Sequence, residues 1–144
     1  MRPKQTTVAP YNVHVTTRKQ TPGKKPKTLN IDASQAARLA VDVASDRQAT
    51  DIVLLDVAAV SGFADYMVIM SVSSARQLSA VASELEDAIE QAGLKIHHRE
   101  GTGESGWILL DFGDVVLHVF SETQREYYKL EQVWETAKQV VRIQ

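Results

Sequence analysis

The sequence contains no cysteine, no proline after position 26 and no apolar run long enough to cross a membrane. Without cysteine, the chain has no disulfide, no thiol nucleophile and no cysteine-ligated metal site. A membrane helix needs about 18 or more apolar residues in succession, and a secretory signal needs an apolar segment, which the first 30 residues lack. These absences predict a cytoplasmic protein, and its 144 residues are enough for one domain with a proper core.

Acidic residues are missing from the first 30 positions, which carry seven of the 16 Lys and Arg residues and all four prolines. The rest of the chain has nine basic and 18 acidic residues, a net charge of −9. This composition predicts a disordered basic extension over residues 1–30 and a single domain over residues 31–144. The acidic domain is expected to repel nucleic acid and to be attracted to a basic protein surface.

The extension has three possible roles. An organellar transit peptide would also lack acids, but such peptides form amphipathic helices, and four prolines together with Gly23 argue against one. The second role is a solvated tail without a dedicated function. The third is an arm that contacts rRNA phosphates through Lys24, Lys25 and Lys27.

Apolar spacing predicts eight elements in the order α-β-β-α-β-β-β-α. The predicted helices cover residues 33–48, 75–92 and 122 onward, and the predicted strands cover 51–57, 66–72, 95–99, 107–112 and 115–120. The last helix is expected to bury a stripe formed by Tyr127, Leu130, Trp134, Ala137 and Val141. The order favours an α/β domain with a mixed five-stranded sheet flanked by helices, in which residues 66–99 form a parallel strand-helix-strand crossover.

Two apolar runs are separated only by Gly113-Asp114, a pair that favours the primed turns of β-hairpins. Such a turn fixes the register, and side chains alternate between the two faces. One face is entirely apolar and is expected to join the core: Ile108, Leu110, Phe112, Val115, Leu117 and Val119. The other face is mixed and is expected to meet a partner, with the pairs Trp107 and Phe120, Leu109 and His118, and Asp111 and Val116.

The segment GTGESG at residues 101–106 matches the G-x-G-x-x-G pattern of dinucleotide sites. In such a site the glycines open a helix whose amides bind phosphate, whereas this segment runs into a strand. Glu104 would also place a negative charge beside the phosphates. We therefore expect a hairpin connection.

Ser73 and Ser74 lie at a helix start, where nucleotidyltransferases place a Gly-Ser pair for the triphosphate. Those enzymes also need closely spaced carboxylates to hold magnesium. Asp111 and Asp114 are the nearest candidates, but they are expected to diverge across the hairpin turn. The serines are therefore predicted to cap the helix.

The histidines do not predict a metal site. His97 and His98 are adjacent on a strand, so their rings point to opposite faces. His118 is alone on the mixed hairpin face. It is either a packing residue with one satisfied nitrogen or part of a partner surface.

The tryptophans and one pair of charged residues need separate interpretations. Trp107 either lies beneath a neighbouring element or anchors a partner, whereas Trp134 is expected in the core. Arg125 and Glu131 are expected to form a local ion pair, which at an exposed site contributes only tenths of a kcal/mol.

An ordered set of motifs resembles the ribosome silencing factor (Iojap) family. The set comprises EG…GWILLDFGDVVLHVF…R.YY.LE.VW from residue 100, DIVLLDV at 51–57 and ADYMVIMSVSSARQ at 64–77. The likeness covers roughly residues 33 to 137. It implies an α/β fold related to nucleotidyltransferases. It also implies a protein that binds the large ribosomal subunit at its universally numbered protein fourteen and prevents the small subunit from joining.

The sequence thus predicts a non-enzymatic translation repressor without cofactor, metal or membrane partner. Its predicted docking surface comprises Glu100, Trp107, Asp111, Asp114 and His118, with Arg125 and Tyr128 at the edge. One alternative is a small nucleotidyltransferase acting on RNA or a nucleotide. Another is a homodimeric scaffold that uses the same sheet face, and a homodimer off the ribosome is also compatible with the resemblance.

Overall fold

The structure, a computed structural model, describes residues 31–144, and the predicted extension over residues 1–30 lies outside the described residues. The described part contains α1 (Ala33–Asp46), β1 (Thr50–Asp56), β2 (Tyr66–Val72), α2 (Ala75–Gln91), β3 (His98–Thr102), β4 (Trp107–Asp111), β5 (Val115–Ser121), α3 (Glu122–Tyr128), α4 (Leu130–Val133) and β6 (Lys138–Ile143). The strands form one mixed sheet in the order β3-β4-β5-β2-β1-β6. Strands β2 and β5 pair in parallel, and the other neighbours pair antiparallel.

Both long helices begin at polar residues that precede an apolar periodic segment. The Asp32 carboxylate accepts a hydrogen bond from the Gln35 N–H at 2.8 Å, and the Gln35 side chain accepts one from the Asp32 N–H at 3.0 Å. These reciprocal bonds form a capping box. Ser74 accepts a hydrogen bond from the Gln77 N–H at 3.0 Å, so the predicted helix cap is confirmed.

The sheet has an apolar layer on each face. On one face, α1 and α2 pack against the sheet in the larger cluster, whose largest fully buried side chains include Leu78, Leu85, Ile89, Ile108, Leu110 and Leu117. On the other face, the chain after β5 covers a smaller cluster that includes Val53, Leu55, Ile69, Val116 and Phe120. Burying apolar surface on both faces stabilises the sheet at a fixed position between the helices.

The β4–β5 hairpin has the predicted register. Trp107 pairs with Phe120 at the open end, and at the turn the Phe112 N–H donates to the Val115 carbonyl at 2.9 Å. Gly113 has a φ of +92°, which glycine adopts without the steric cost of a side chain. All six residues of the predicted apolar face are buried in the larger cluster.

The C-terminal segment departs from the predicted long helix, and the sheet has six strands instead of five. Lys129 has a left-handed φ of +46° and ends α3, α4 is a single turn, and β6 follows. Tyr127 of the predicted stripe is 73% exposed, and Val141 lies in β6. The β-branched residues of β6 favour a strand, and pairing with β1 satisfies backbone groups that would otherwise form a free sheet edge.

The predicted crossover is also wrong in its second strand. The parallel neighbour of β2 is β5, which the chain reaches only after α2, β3 and β4. Strand β3 begins at His98 instead of residue 95 and lies at the far edge, paired with β4. Apolar spacing indicates that a segment is a strand, but it does not identify the neighbour with which the strand pairs.

Candidate functional site

An open groove of about 260 Å³ lies on the mixed face of the hairpin. It is lined by Glu100 and Gly101 of β3, Ser105 of the following turn, Trp107 and Leu109 of β4, and Gln124 and Tyr128 of α3. Strands β3 and β4 approach closely at Gly101, where a side-chain carbon would overlap the Trp107 carbonyl oxygen. A glycine at this position, with φ +95°, therefore permits the pairing that builds one wall of the groove.

Trp107 is half-buried in this groove and held on several sides. Its ring stacks on Phe120 with the centroids 4.8 Å apart and lies 4.7 Å from the ring of Tyr128. Its indole Nε1–H donates a hydrogen bond to Nδ1 of His118 at 3.0 Å. Tyr128 is 45% exposed, so the groove combines a fixed indole with an accessible phenol ring.

His118 lies directly behind Trp107 and is only 4% exposed. Burial lowers the pKa of His118 to about 4, because the charged imidazolium would lose its hydration. The ring is therefore neutral at neutral pH. Of the two interpretations left open by the sequence, the structure supports the packing residue with one satisfied nitrogen.

Acidic side chains surround the apolar part of the groove. Glu100 pairs across the strands with Leu109, and Asp111 with His98, so the two carboxylates lie on the same face as Trp107. The Asp111 carboxylate accepts a hydrogen bond from the Gly113 N–H at 2.8 Å. This hydrogen bond ties the Asp111 side chain to the hairpin turn.

Arg125 is buried at 7% exposure, which corrects the expectation of a surface ion pair. Its guanidinium donates to Ser71 Oγ at 2.8 Å and to Glu131 Oε2 at 2.6 and 3.0 Å. Burial opposes ionisation of Glu131, but the hydrogen bonds and charge of Arg125 outweigh it and lower the pKa of Glu131. The predicted pair exists and connects α3 to α4, and the hydrogen bond to Ser71 connects Arg125 to β2.

The structure brings together only part of the predicted docking surface. Glu100, Trp107 and Tyr128 line the groove, and Asp111 lies further along the same strand face. The remaining predicted residues do not line the groove: His118 is buried beside the indole, the Arg125 side chain of α3 is buried against β2, and Asp114 is exposed at the hairpin turn, opposite the Trp107 end. Of the predicted residues, His118 and Arg125 are the buried ones.

Four groove residues are not among the predicted site residues: Gly101, Ser105, Leu109 and Gln124. The hairpin register places Leu109 on the mixed face, so its position was accessible from the sequence. Gln124 reaches the groove only because α3 folds back over the hairpin, where its side-chain amide donates to the Ser105 carbonyl at 3.3 Å. That tertiary contact leaves no local sequence signal.

Among residues 31–144, no group of three or more metal-ligating side chains is arranged to hold a metal ion. In the same part of the chain, no helix has the length and apolarity needed to cross a bilayer. The GTGESG segment ends β3 and forms the turn into β4, which confirms the predicted hairpin connection. Within residues 31–144, the groove on the mixed face of the hairpin is a candidate site for a partner.

A family model described as "Ribosomal silencing factor during starvation" matches residues 30–144. The chain belongs to this family. A ribosomal silencing factor RsfS from Bacillus subtilis is 39% identical over 97 residues, covering 67% of this chain and 82% of that protein. A chloroplastic protein Iojap from Arabidopsis thaliana is 34% identical over 120 residues, covering 81% of this chain and 50% of that protein. The predicted family resemblance is confirmed.

Two crystal structures share the fold of this chain. One, from Chromobacterium violaceum, has a TM-score of 0.70 at 30% identity and covers 73% of this chain and 88% of that one. The other, from Bacillus halodurans, has a TM-score of 0.63 at 36% identity, with 72% and 94% covered. The family is a regulatory one, so the class of function is repression of translation at the ribosome.

Proposed function

We propose that this protein binds the large ribosomal subunit through the Trp107 groove and thereby prevents the small subunit from joining. The direct partner is the subunit's universally numbered protein fourteen, as the family resemblance implies. The observation that carries the proposal is a half-exposed aromatic groove with acidic residues on the same strand face. The protein would act by occupying space at the subunit interface.

The aromatic groove has the features of a binding anchor. Large aromatic side chains near the centre of an interface commonly contribute most of its binding free energy. Trp107 is already fixed by Phe120, Tyr128 and His118 in the free protein, so little side-chain entropy remains to be lost on binding. A partner with an apolar side chain of suitable size would therefore bind without rearranging the groove.

The charge of the domain supports a basic partner. Residues 31–144 carry a net charge of −9, and the Glu100 side chain beside the groove is 72% exposed. Opposite charge on a ribosomal protein would steer the two surfaces together and orient them. Ribosomal proteins commonly present the required basic residues because they also bind rRNA.

Adjacent tyrosines on α3 provide a matched test of the groove. Tyr128 lines it, whereas Tyr127 is 73% exposed and does not. We expect Tyr128→Ala to weaken binding to purified large subunits by about tenfold or more, and Tyr127→Ala to have little effect. Co-sedimentation over a range of protein concentrations gives both affinities. Equal losses of affinity in the two variants would show that the groove is not part of the interface.

A further inference from the structure

His118 is a polar residue in an otherwise apolar layer. Its strand neighbours on the same face of the sheet are Ile69 of β2 and Leu109 of β4. Its Nδ1 atom accepts the hydrogen bond from Trp107, whereas its buried Nε2 atom has no hydrogen-bond partner. The imidazole therefore makes one polar contact, and that contact is with the aromatic residue of the groove.

The hydrogen bond determines where the imidazole carries its proton. An indole N–H can only donate, so Nδ1 must be the unprotonated nitrogen, and the neutral ring carries its proton on Nε2. A buried N–H without an acceptor costs free energy, and an apolar side chain of similar shape would avoid that cost. The hydrogen bond to Trp107 is therefore the contact that distinguishes a buried histidine from an apolar residue at this position.

Trp107 needs a directional contact to hold one orientation. Its ring stacks on Phe120 and is tilted by 50° against Tyr128, and neither ring contact supplies a polar partner for the indole N–H. Rotation about the bond to the ring would exchange the two edges, because this torsion is broad and roughly two-fold. A hydrogen bond at 3.0 Å to a fixed acceptor selects the orientation with Nε1 inward.

We propose that His118 is a positioning residue, whose Nδ1 atom holds the Trp107 indole in the orientation that a partner binds in the groove. This inference builds on the proposed function, because it assigns the reason for the orientation to large-subunit binding. The unpaired Nε2–H then lowers the stability of the fold, while the hydrogen bond at Nδ1 keeps the binding surface ordered.

The first test is made on the free protein, by NMR of the indole N–H groups. The sequence has two tryptophans, so Trp134 serves as an internal reference for Trp107. In His118→Leu, the Trp107 indole signal should move toward the position of a hydrated indole, while the Trp134 signal stays in place. His118→Asn should largely restore the Trp107 signal, because its Oδ1 atom occupies the place of Nδ1. An unchanged Trp107 signal in His118→Leu would overturn the positioning role.

The second test is a double-mutant cycle in binding to purified large subunits. We expect His118→Leu to weaken binding about tenfold in the wild-type background, which corresponds to the loss of one orienting hydrogen bond. In the Trp107→Phe background, which has no indole N–H, it should change binding by less than about twofold. Melting curves should show His118→Leu to be at least as stable as the wild type. A purely structural role predicts lower stability and equal losses of binding in both backgrounds.

The two tests distinguish failure of the inference from failure of the proposed function. If the wild type does not bind large subunits while the Trp107 signal moves in His118→Leu, the proposed function is wrong and the hydrogen bond still orients the indole. If the signal moves but the affinity of His118→Leu for large subunits is unchanged, the orientation does not serve binding and the inference is wrong.

Discussion

At the scale of single residues, three side chains near the groove differ in burial. Trp107 is half-buried on the mixed face of the hairpin. Arg125 and His118 are buried. Arg125 contacts Ser71 and Glu131, and His118 contacts the indole of Trp107. These are tertiary contacts, which the periodicity of the sequence does not reveal.

Removal of Arg125 should destabilise the fold strongly. Arg125→Ala leaves Ser71 and Glu131 without their cation, and we expect a loss of about 3 kcal/mol in the free energy of unfolding. Arg125 and Arg142 both lie near Asp51, at 3.5 and 2.7 Å from its carboxylate. Arg142→Ala is the control, because Arg142 is 35% exposed, and we expect this substitution to cost less than about 1 kcal/mol. Urea unfolding measures both. Similar losses would show that burial of Arg125 has no energetic consequence.

Burial of His118 should make stability depend on pH. Its pKa falls from 6.5 to about 4 on folding, so between these values the unfolded chain binds a proton that the folded protein excludes. The effect of His118 on the free energy of unfolding is therefore constant above pH 6.5. As the pH falls from 6.5 to about 4, the free energy of unfolding decreases, by about 3 kcal/mol in total. Urea unfolding of wild type and His118→Leu at several pH values between 4 and 6.5 measures how the difference in their free energies of unfolding changes with pH. Parallel pH profiles would contradict the assignment.

At the scale of elements, the sequence indicates local conformation, but it does not indicate which strands pair with one another. Helix α2 and the β4–β5 hairpin have the predicted positions because their caps, spacing and turn are encoded within short segments. Strand β6 was predicted as helix, because Leu130, Trp134 and Ala137 follow a helical spacing and do pack on the smaller cluster. Its conformation depends on the edge of β1, which lies some 80 residues earlier in the chain and is invisible to local periodicity.

The apolar face of the hairpin should determine stability without determining binding. Leu117 is fully buried in the larger cluster, so Leu117→Ala should lower the free energy of unfolding by about 2 to 5 kcal/mol. Below its melting temperature, the variant should retain its affinity for large subunits, because the cavity lies on the other face from Trp107. Circular dichroism melts and co-sedimentation on the same samples measure both quantities. A tolerated Leu117→Ala would mean that this face is not core.

At the scale of the whole molecule, the layered fold separates the proposed binding face from the face that the long helices cover. Helices α1 and α2 cover the larger cluster, and the chain after β5 leaves the groove open beside α3. The acidic domain would approach a basic ribosomal surface with the groove forward, and its bulk would exclude the small subunit. The family and the hairpin faces were readable from the sequence, whereas the groove itself required the fold.

The most direct measurement is a subunit reassociation assay. Purified large subunits are incubated with the protein, small subunits are added, and the fraction of joined ribosomes is measured by sedimentation. We predict that wild type lowers this fraction, while Trp107→Ala and Glu100→Lys, each confirmed as folded by its melting curve, leave it near the value without protein. Inhibition by both variants equal to that of wild type, or co-sedimentation of wild type with small subunits only, would contradict the account.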